Sequence, residues 1–163
     1  RHRLVSRRRS LRMLTVDDRA PSFTLRNHHD EPVSLADTRG SFAVVYFYPR
    51  ADTPGCTTEA CGFRDRSDAF DRLDCTVYGI SDDPVSALSA FAAEYDLGFE
   101  LLADEDGSVA RAYDSYGEKQ LFGRTFDGTF RNTYIVDPEG RIAAVFEGVS
   151  PDGHAEEVLA VLE

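Results

Sequence analysis

The chain has 163 residues and 42% hydrophobic content, enough for one domain with a buried core, and no apolar run approaches the ~20 residues that cross a bilayer. Three cysteines without regular spacing argue against a secreted disulfide framework and fit thiols kept for chemistry in a reducing compartment, the cytoplasm. The net charge of −11 conceals an uneven distribution: residues 1–12 hold six arginines and no acid, leaving 12 basic against 29 acidic residues, a net of −17, in a remainder whose only lysine is Lys119. Such a surface repels nucleic acid and suits a salt-rich medium that screens its self-repulsion.

The basic arm is followed by no apolar stretch long enough for a secretory signal, and Met13, the only methionine, stands where translation could start. Residues 1–15 are therefore expected to be a disordered or translated-upstream extension, and residues 16–163 a single domain. Within that domain, Ala20–Leu25 and Pro32–Leu35 flank a polar turn and predict a hairpin, with a loop over Asp37–Ser41. Ala43–Tyr48 (AVVYFY) is a continuous apolar, β-rich run of the kind buried on both faces, and is expected in the middle of the sheet. A helical pattern over Thr57–Leu73 follows, then a second buried strand at Thr76–Ser81 and a helix over Pro84–Tyr95 introduced by Asp82 and Asp83. Glu100–Ala103 is a short strand and Val109–Tyr113 a short helix. Gln120–Phe130, punctuated by Gly123 and Gly128, predicts an irregular β excursion. Thr133–Val136 and Ile142–Phe146 form a hairpin about Asp137–Gly140, and Gly153–Leu162 is the closing helix. Helices interleaved with strands predict an α/β domain, a mixed central sheet with helices on both faces.

The organising stretch is Tyr46–Asp65, YFYPRADTPGCTTEACGFRD. A strand delivers Cys56 to the first turn of a helix, with Thr53 a good N-cap and Pro54 suited to the first helical position. At such a site unpaired backbone N–H groups and the helix dipole favour a thiolate. Cys61 lies five residues on. On an intact α-helix that offset is a rise of about 7.5 Å with side chains roughly 140° apart, which places the Cα atoms about 8.6 Å from each other, beyond the ~7 Å reach of a disulfide. A bond between these sulfurs requires the first turns of the helix to unwind. A zinc site would need further ligands, and the histidines fall in the arm or in loops.

Pro49, Thr53 and Cys56 make P-x-x-x-T-x-x-C, which resembles the active-site motif of the peroxiredoxins, thiol peroxidases on a thioredoxin-like fold. The longer TPGCTTEACGFRD, with YGISDDP, LLADEDG, YGEKQLFGRTFDG and RNTYIVDPEGRI, is similar to the bacterioferritin-comigratory or Q subtype over residues 20–162. The resemblance implies a peroxidatic Cys56 that attacks a peroxide oxygen, and a resolving Cys61 that condenses with the resulting sulfenic acid into an intrachain disulfide. It also implies a Thr53 hydroxyl between Cys56 and the peroxide, a Pro49 that shields the pocket, and an Arg131 that reaches Cys56. Glu59 either orients this cluster or only complements the helix dipole. Hydrogen peroxide and organic hydroperoxides are the implied substrates and thioredoxin or a similar dithiol the implied donor, without metal, haem or flavin, in a monomer. A redox sensor or thiol-dependent chaperone signalling through Cys56 oxidation is the alternative. Arg50 and Arg64 are expected in ion pairs, and Cys75, outside the family pattern, as a buried inert thiol.

Overall fold

The computed structural model describes residues 14–163; the arginine-rich segment and Met13 lie outside the described residues. Two short strands, β1 (Thr24–Asn27) and β2 (Pro32–Ser34), form the expected hairpin and are followed by a 3-10 turn at Leu35–Thr38. β3 (Phe42–Phe47) leads through a loop into α1 (Pro54–Asp65) and α2 (Ser67–Arg72). β4 (Cys75–Ser81), α3 (Val85–Tyr95), β5 (Glu100–Ala103) and α4 (Ser108–Ala112) come next. The chain closes with the hairpin β6 (Tyr116–Leu121) and β7 (Arg124–Thr129), the hairpin β8 (Thr133–Val136) and β9 (Ile142–Phe146), and α5 (His154–Leu162). Among the described residues no helix is long and apolar enough to cross a membrane.

Seven strands make one mixed sheet in the order β2-β1-β5-β4-β3-β8-β9, with β3, β4 and β5 parallel and the rest antiparallel. β4 rather than β3 is its central strand, although β3 is flanked on both sides and Ala43 to Phe47 are fully buried. Strand alternation then divides the core. Val44 and Tyr46, with Tyr48 just beyond the strand, meet Cys56, Ala60 and Phe63 of α1, Phe70 of α2, Leu88 and Phe91 of α3, and Val158 and Leu159 of α5. Ala43, Val45 and Phe47 face Phe23, Leu35, Ala110 and Tyr113 on the opposite side. Helices thus cover both faces, but unequally, because the β3-to-β4 and β4-to-β5 crossovers run the same way along the sheet and both place their helices on one side.

Three expectations change. The helical pattern expected to run on to Leu73 begins at Pro54, the first helical position that the sequence suggests, but breaks at Arg66, whose N–H turns back to the Phe63 carbonyl at 3.2 Å in the manner of a 3-10 turn. The irregular excursion is a regular two-stranded sheet apart from the main one, closed by Phe122 and Gly123 at φ of 54° and 75°. Two positive φ values are what a tight hairpin turn of the right twist requires, and a phenylalanine in the first place hides the turn from the usual Asn-Gly or Asp-Gly pattern. Finally, His154 is not a loop histidine. It begins α5, is 1% exposed, and lies between the Thr133 hydroxyl at 2.8 Å and the Glu157 carboxylate at 3.0 Å. Burial lowers its pKa.

Candidate active site

The β3-to-α1 loop has the form that its sequence dictates. Thr53 is the N-cap residue, extended at φ −103° and ψ 156°, and Pro54 opens α1. The first helical hydrogen bond runs from Thr57 N–H to the Thr53 carbonyl at 2.8 Å, so the N–H groups of Gly55 and Cys56 have no partner within the helix. Cys56, 1% exposed, sits in that first turn. The Thr53 hydroxyl does not cap the helix: it donates to the Arg50 carbonyl at 2.8 Å, which leaves its lone pairs free to accept.

Arg131 arrives from the segment between β7 and β8. Its backbone is held from several directions: its carbonyl accepts Val149 N–H at 2.8 Å, and the next residue, Asn132, accepts Gly148 N–H on its side chain at 3.0 Å and Phe47 N–H on its carbonyl at 2.8 Å. The guanidinium then bridges two acceptors, with Nη2 donating to Cys56 Sγ at 3.4 Å and Nη1 to Glu59 Oε1 at 2.7 Å. A planar group with forked donors suits such a bridge. Burial pulls the guanidinium's pKa down, but the facing Cys56 and Glu59 more than offset this and leave it raised. Gly55 makes the approach possible. A Cβ there would stand 3.2 Å from Arg131 Nη2 and 3.3 Å from Pro151 Cγ, so this residue and Pro151, neither singled out in the sequence, form part of the wall.

Glu59 follows Cys56 by one turn on the same helix face, with a side chain that is completely buried and an Oε2 without a hydrogen-bond partner. Burial pushes its carboxyl up to about 7, against the pull of Arg131. A carboxyl whose folded pKa exceeds its unfolded value makes the folded state bind more protons, so this group's contribution to stability falls as pH rises from about 4.5 to about 7. The urea midpoint of wild type relative to Glu59→Gln is expected to decline across that window, by the equivalent of roughly 3 kcal/mol at the pKa difference involved. Equal pH profiles for the two proteins would contradict the assignment.

Pro49 and Arg131 line a cavity of about 570 Å³ together with Phe130, Lys119, Asn132, Asp114, Glu147 and Gly148. Cys56 is not on its wall and is connected to it through Arg131. Lys119 was not identified from the sequence as a site residue. It donates to the Thr129 carbonyl at 2.8 Å, and burial, followed by Arg131, lowers its pKa.

Cys61 is half-buried on α1, which runs unbroken through both cysteines, and all three thiols are free. Cys75 begins β4, is 6% exposed, and has its thiol pushed up to about 12 by burial, with Asp74 adding to the effect. Arg50 pairs with Asp83 at 3.7 Å and Asp82 at 4.0 Å, and Arg64 with Asp65 at 3.0 Å, as expected of both.

Comparison with known proteins identifies the family. Residues 16–145 match the model of the AhpC/TSA family. The chain is 42% identical over 146 residues to peroxiredoxin Bcp of Escherichia coli K12, covering 90% of this chain and 94% of that one. It is 43% identical over 149 residues to a putative peroxiredoxin bcp of Coxiella burnetii, covering 91% and 99%. Among solved structures, the bacterioferritin comigratory protein of Xanthomonas campestris, described for alkyl peroxide reduction, aligns with a TM-score of 0.82 at 34% identity over 86% of this chain and 89% of that one. A cysteine-to-serine mutant of Xylella fastidiosa PrxQ aligns with a TM-score of 0.87 at 30% identity over 93% and 96%.

Proposed function

Because the chain belongs to the AhpC/TSA family, as a peroxiredoxin of the bacterioferritin-comigratory or Q type, we propose that Cys56 is its peroxidatic residue and Cys61 its resolving residue. The protein is a thiol peroxidase on a thioredoxin-like fold. The observation that carries the Cys56 assignment is the Arg131 guanidinium, which binds the buried Cys56 sulfur and the Glu59 carboxylate at once.

The Cys56 thiolate attacks the terminal oxygen of a hydroperoxide, and an S–O bond forms as the O–O bond breaks. The leaving oxygen departs as water or an alcohol once it has taken a proton. Thr53, whose own proton is engaged by the Arg50 carbonyl, accepts from the peroxide O–H and so aligns it. Arg131 donates to the sulfur and to the oxygen on which charge develops, and Glu59 holds the guanidinium in place. Pro49 closes the pocket to water, and the cavity beside it receives the organic part of larger hydroperoxides. The Cys61 thiol then condenses with the Cys56 sulfenic acid, releasing water and leaving a disulfide. A dithiol donor reduces that bond by exchange.

Thioredoxin is the proposed donor, the reducing cytoplasm the proposed compartment, and a monomer the proposed working unit, since resolution within the chain needs no second subunit. The proposed catalytic domain, expected from residue 16, begins no later than Leu14, which packs against the core and whose N–H donates to Asp114 Oδ2 at 2.8 Å; the basic segment before it is the proposed extension. A coupled assay tests the donor: NADPH oxidation through thioredoxin reductase and thioredoxin is expected with hydrogen peroxide and with tert-butyl hydroperoxide. Turnover only with glutathione, or none that depends on Cys56, would contradict the proposal.

A further inference from the structure

The loop that carries Thr53 is anchored by a buried carboxylate outside the motif. Asp83, 5% exposed in the turn between β4 and α3, accepts from Ala51 N–H at 2.7 Å and from the Ser81 hydroxyl at 2.7 Å through the same oxygen, Oδ2. Its other oxygen faces Arg50 Nε at 3.7 Å, an ion pair whose arginine is 65% exposed and so contributes little. Ser81, itself 1% exposed, belongs to the central strand, so the carboxylate is referenced to the most rigid part of the sheet.

The peptide group that Asp83 holds is the one that holds Thr53. Ala51 N–H and the Arg50 carbonyl are two ends of a single planar amide. Asp83 takes its N–H end, and the Thr53 hydroxyl donates to its carbonyl end at 2.8 Å. A charged acceptor on the N–H polarises the amide and strengthens the carbonyl as an acceptor. Removing the carboxylate leaves a part-buried N–H unpaired, and rotation of the amide to find another partner would carry away the oxygen that fixes the Thr53 proton. The next residue, Asp52, already stands at φ 60°, so the loop has little spare conformational freedom.

We propose that Asp83 is a positioning residue for peroxide reduction, aiming the Thr53 hydroxyl through the Arg50–Ala51 peptide; this rests on the assignment of Cys56 as the peroxidatic residue. The test compares two reactions of Cys56 in the same samples: its oxidation by hydrogen peroxide, which uses Thr53, and its alkylation by iodoacetamide, which does not. Asp83→Ala is expected to lower the ratio of the two rates about tenfold. Asp83→Asn, which keeps an oxygen for Ala51 N–H, is expected to restore most of it, and Asp83→Ala combined with Thr53→Val to be no slower toward peroxide than Thr53→Val alone. Ser81→Ala, a milder change that removes the bond aiming the carboxylate, is expected to lower the ratio about threefold and serves where Asp83→Ala does not fold. Peroxide and alkylation rates that fall together, an unchanged ratio, or independent losses in the double variant would overturn the proposal. A wild type that consumes no peroxide through Cys56 would instead overturn the assignment beneath it.

Discussion

Arg131→Leu is expected to lower kcat/KM for hydrogen peroxide by about 10²- to 10³-fold, the range found when a preorganised donor to developing negative charge is removed. The guanidinium is the only side chain hydrogen-bonded to Cys56 Sγ among the described residues, and it contacts the sulfur from within a buried cluster. The same change has a structural cost. Glu59, without solvent contact and with one oxygen already unpartnered, loses its ion pair, and breaking a buried pair from one side costs about 3–5 kcal/mol unless the survivor is neutralised. Because burial already holds the Glu59 carboxyl at about 7, the destabilisation is expected to be larger at pH 8 than at pH 6. The double variant Arg131→Leu with Glu59→Leu is expected to recover the urea midpoint but not the activity. Recovery of activity in the double variant would contradict the role given to Arg131. Lysine, with a single point of charge, is expected to be a poor substitute for a group that bridges two acceptors.

Gly79→Val is expected to destabilise the protein by about 3 kcal/mol, because β4 has no room for a side chain at this position. A Cβ there would lie 2.8 Å from both Cζ and Oη of Tyr46, its register partner on β3. The ring cannot withdraw, being fully buried and stacked on Phe63 of α1 at 4.6 Å between centroids. Displacing Tyr46 pushes on the helix that carries Cys56 and Cys61. Peroxide turnover is therefore expected to fall with stability, and Tyr46→Leu, which removes the ring, to restore part of both. Urea unfolding of the single and double variants measures the coupling, and a Gly79→Val protein as stable as wild type would contradict the packing argument.

The local unit from β3 through Cys56 was legible because each of its signals is local: an apolar β-rich run, an N-cap threonine, a proline at the first helical position. The strands at Thr76–Ser81, Glu100–Ala103 and Thr133–Val136 were legible for the same reason. What escaped depends on residues far apart in the chain. Nothing near Asp83 says that its carboxylate reaches Ala51, 32 residues away, and nothing near Lys119 or Phe130 says that they share a cavity with Pro49. Thr53 shows a different limit. Its position as N-cap follows from sequence, but the choice of its hydroxyl between a helix N–H and the Arg50 carbonyl is decided by the loop that Asp83 fixes. The hairpin of β6 and β7 was obscured by an atypical turn residue, Phe122, whereas His154 falls within the expected closing helix and what escaped was its burial against Thr133 of β8.

The resolving step links the fold to the chemistry most tightly. In the structure α1 is continuous through Cys56 and Cys61, a separation at which an α-helix cannot form a disulfide. The helix is also held from outside. Phe63 is stacked on Tyr46, Gly62 lies against Ala155 of α5, and Arg66 pairs with Glu156. With Cys61 as the proposed resolving residue, the catalytic cycle is expected to include a local unwinding of the first turns of α1, at the end furthest from these contacts.

The measurement that tests this account most directly is a peroxide titration of the reduced protein, with free thiols counted and disulfides mapped by mass spectrometry in wild type, Cys56→Ser and Cys61→Ser. The account predicts that wild type loses two thiols per peroxide as a Cys56–Cys61 bond, that Cys61→Ser stops at an oxidised Cys56, and that Cys56→Ser does not react. An inert Cys56, or a bond from Cys56 to Cys75 or to another chain, would contradict it.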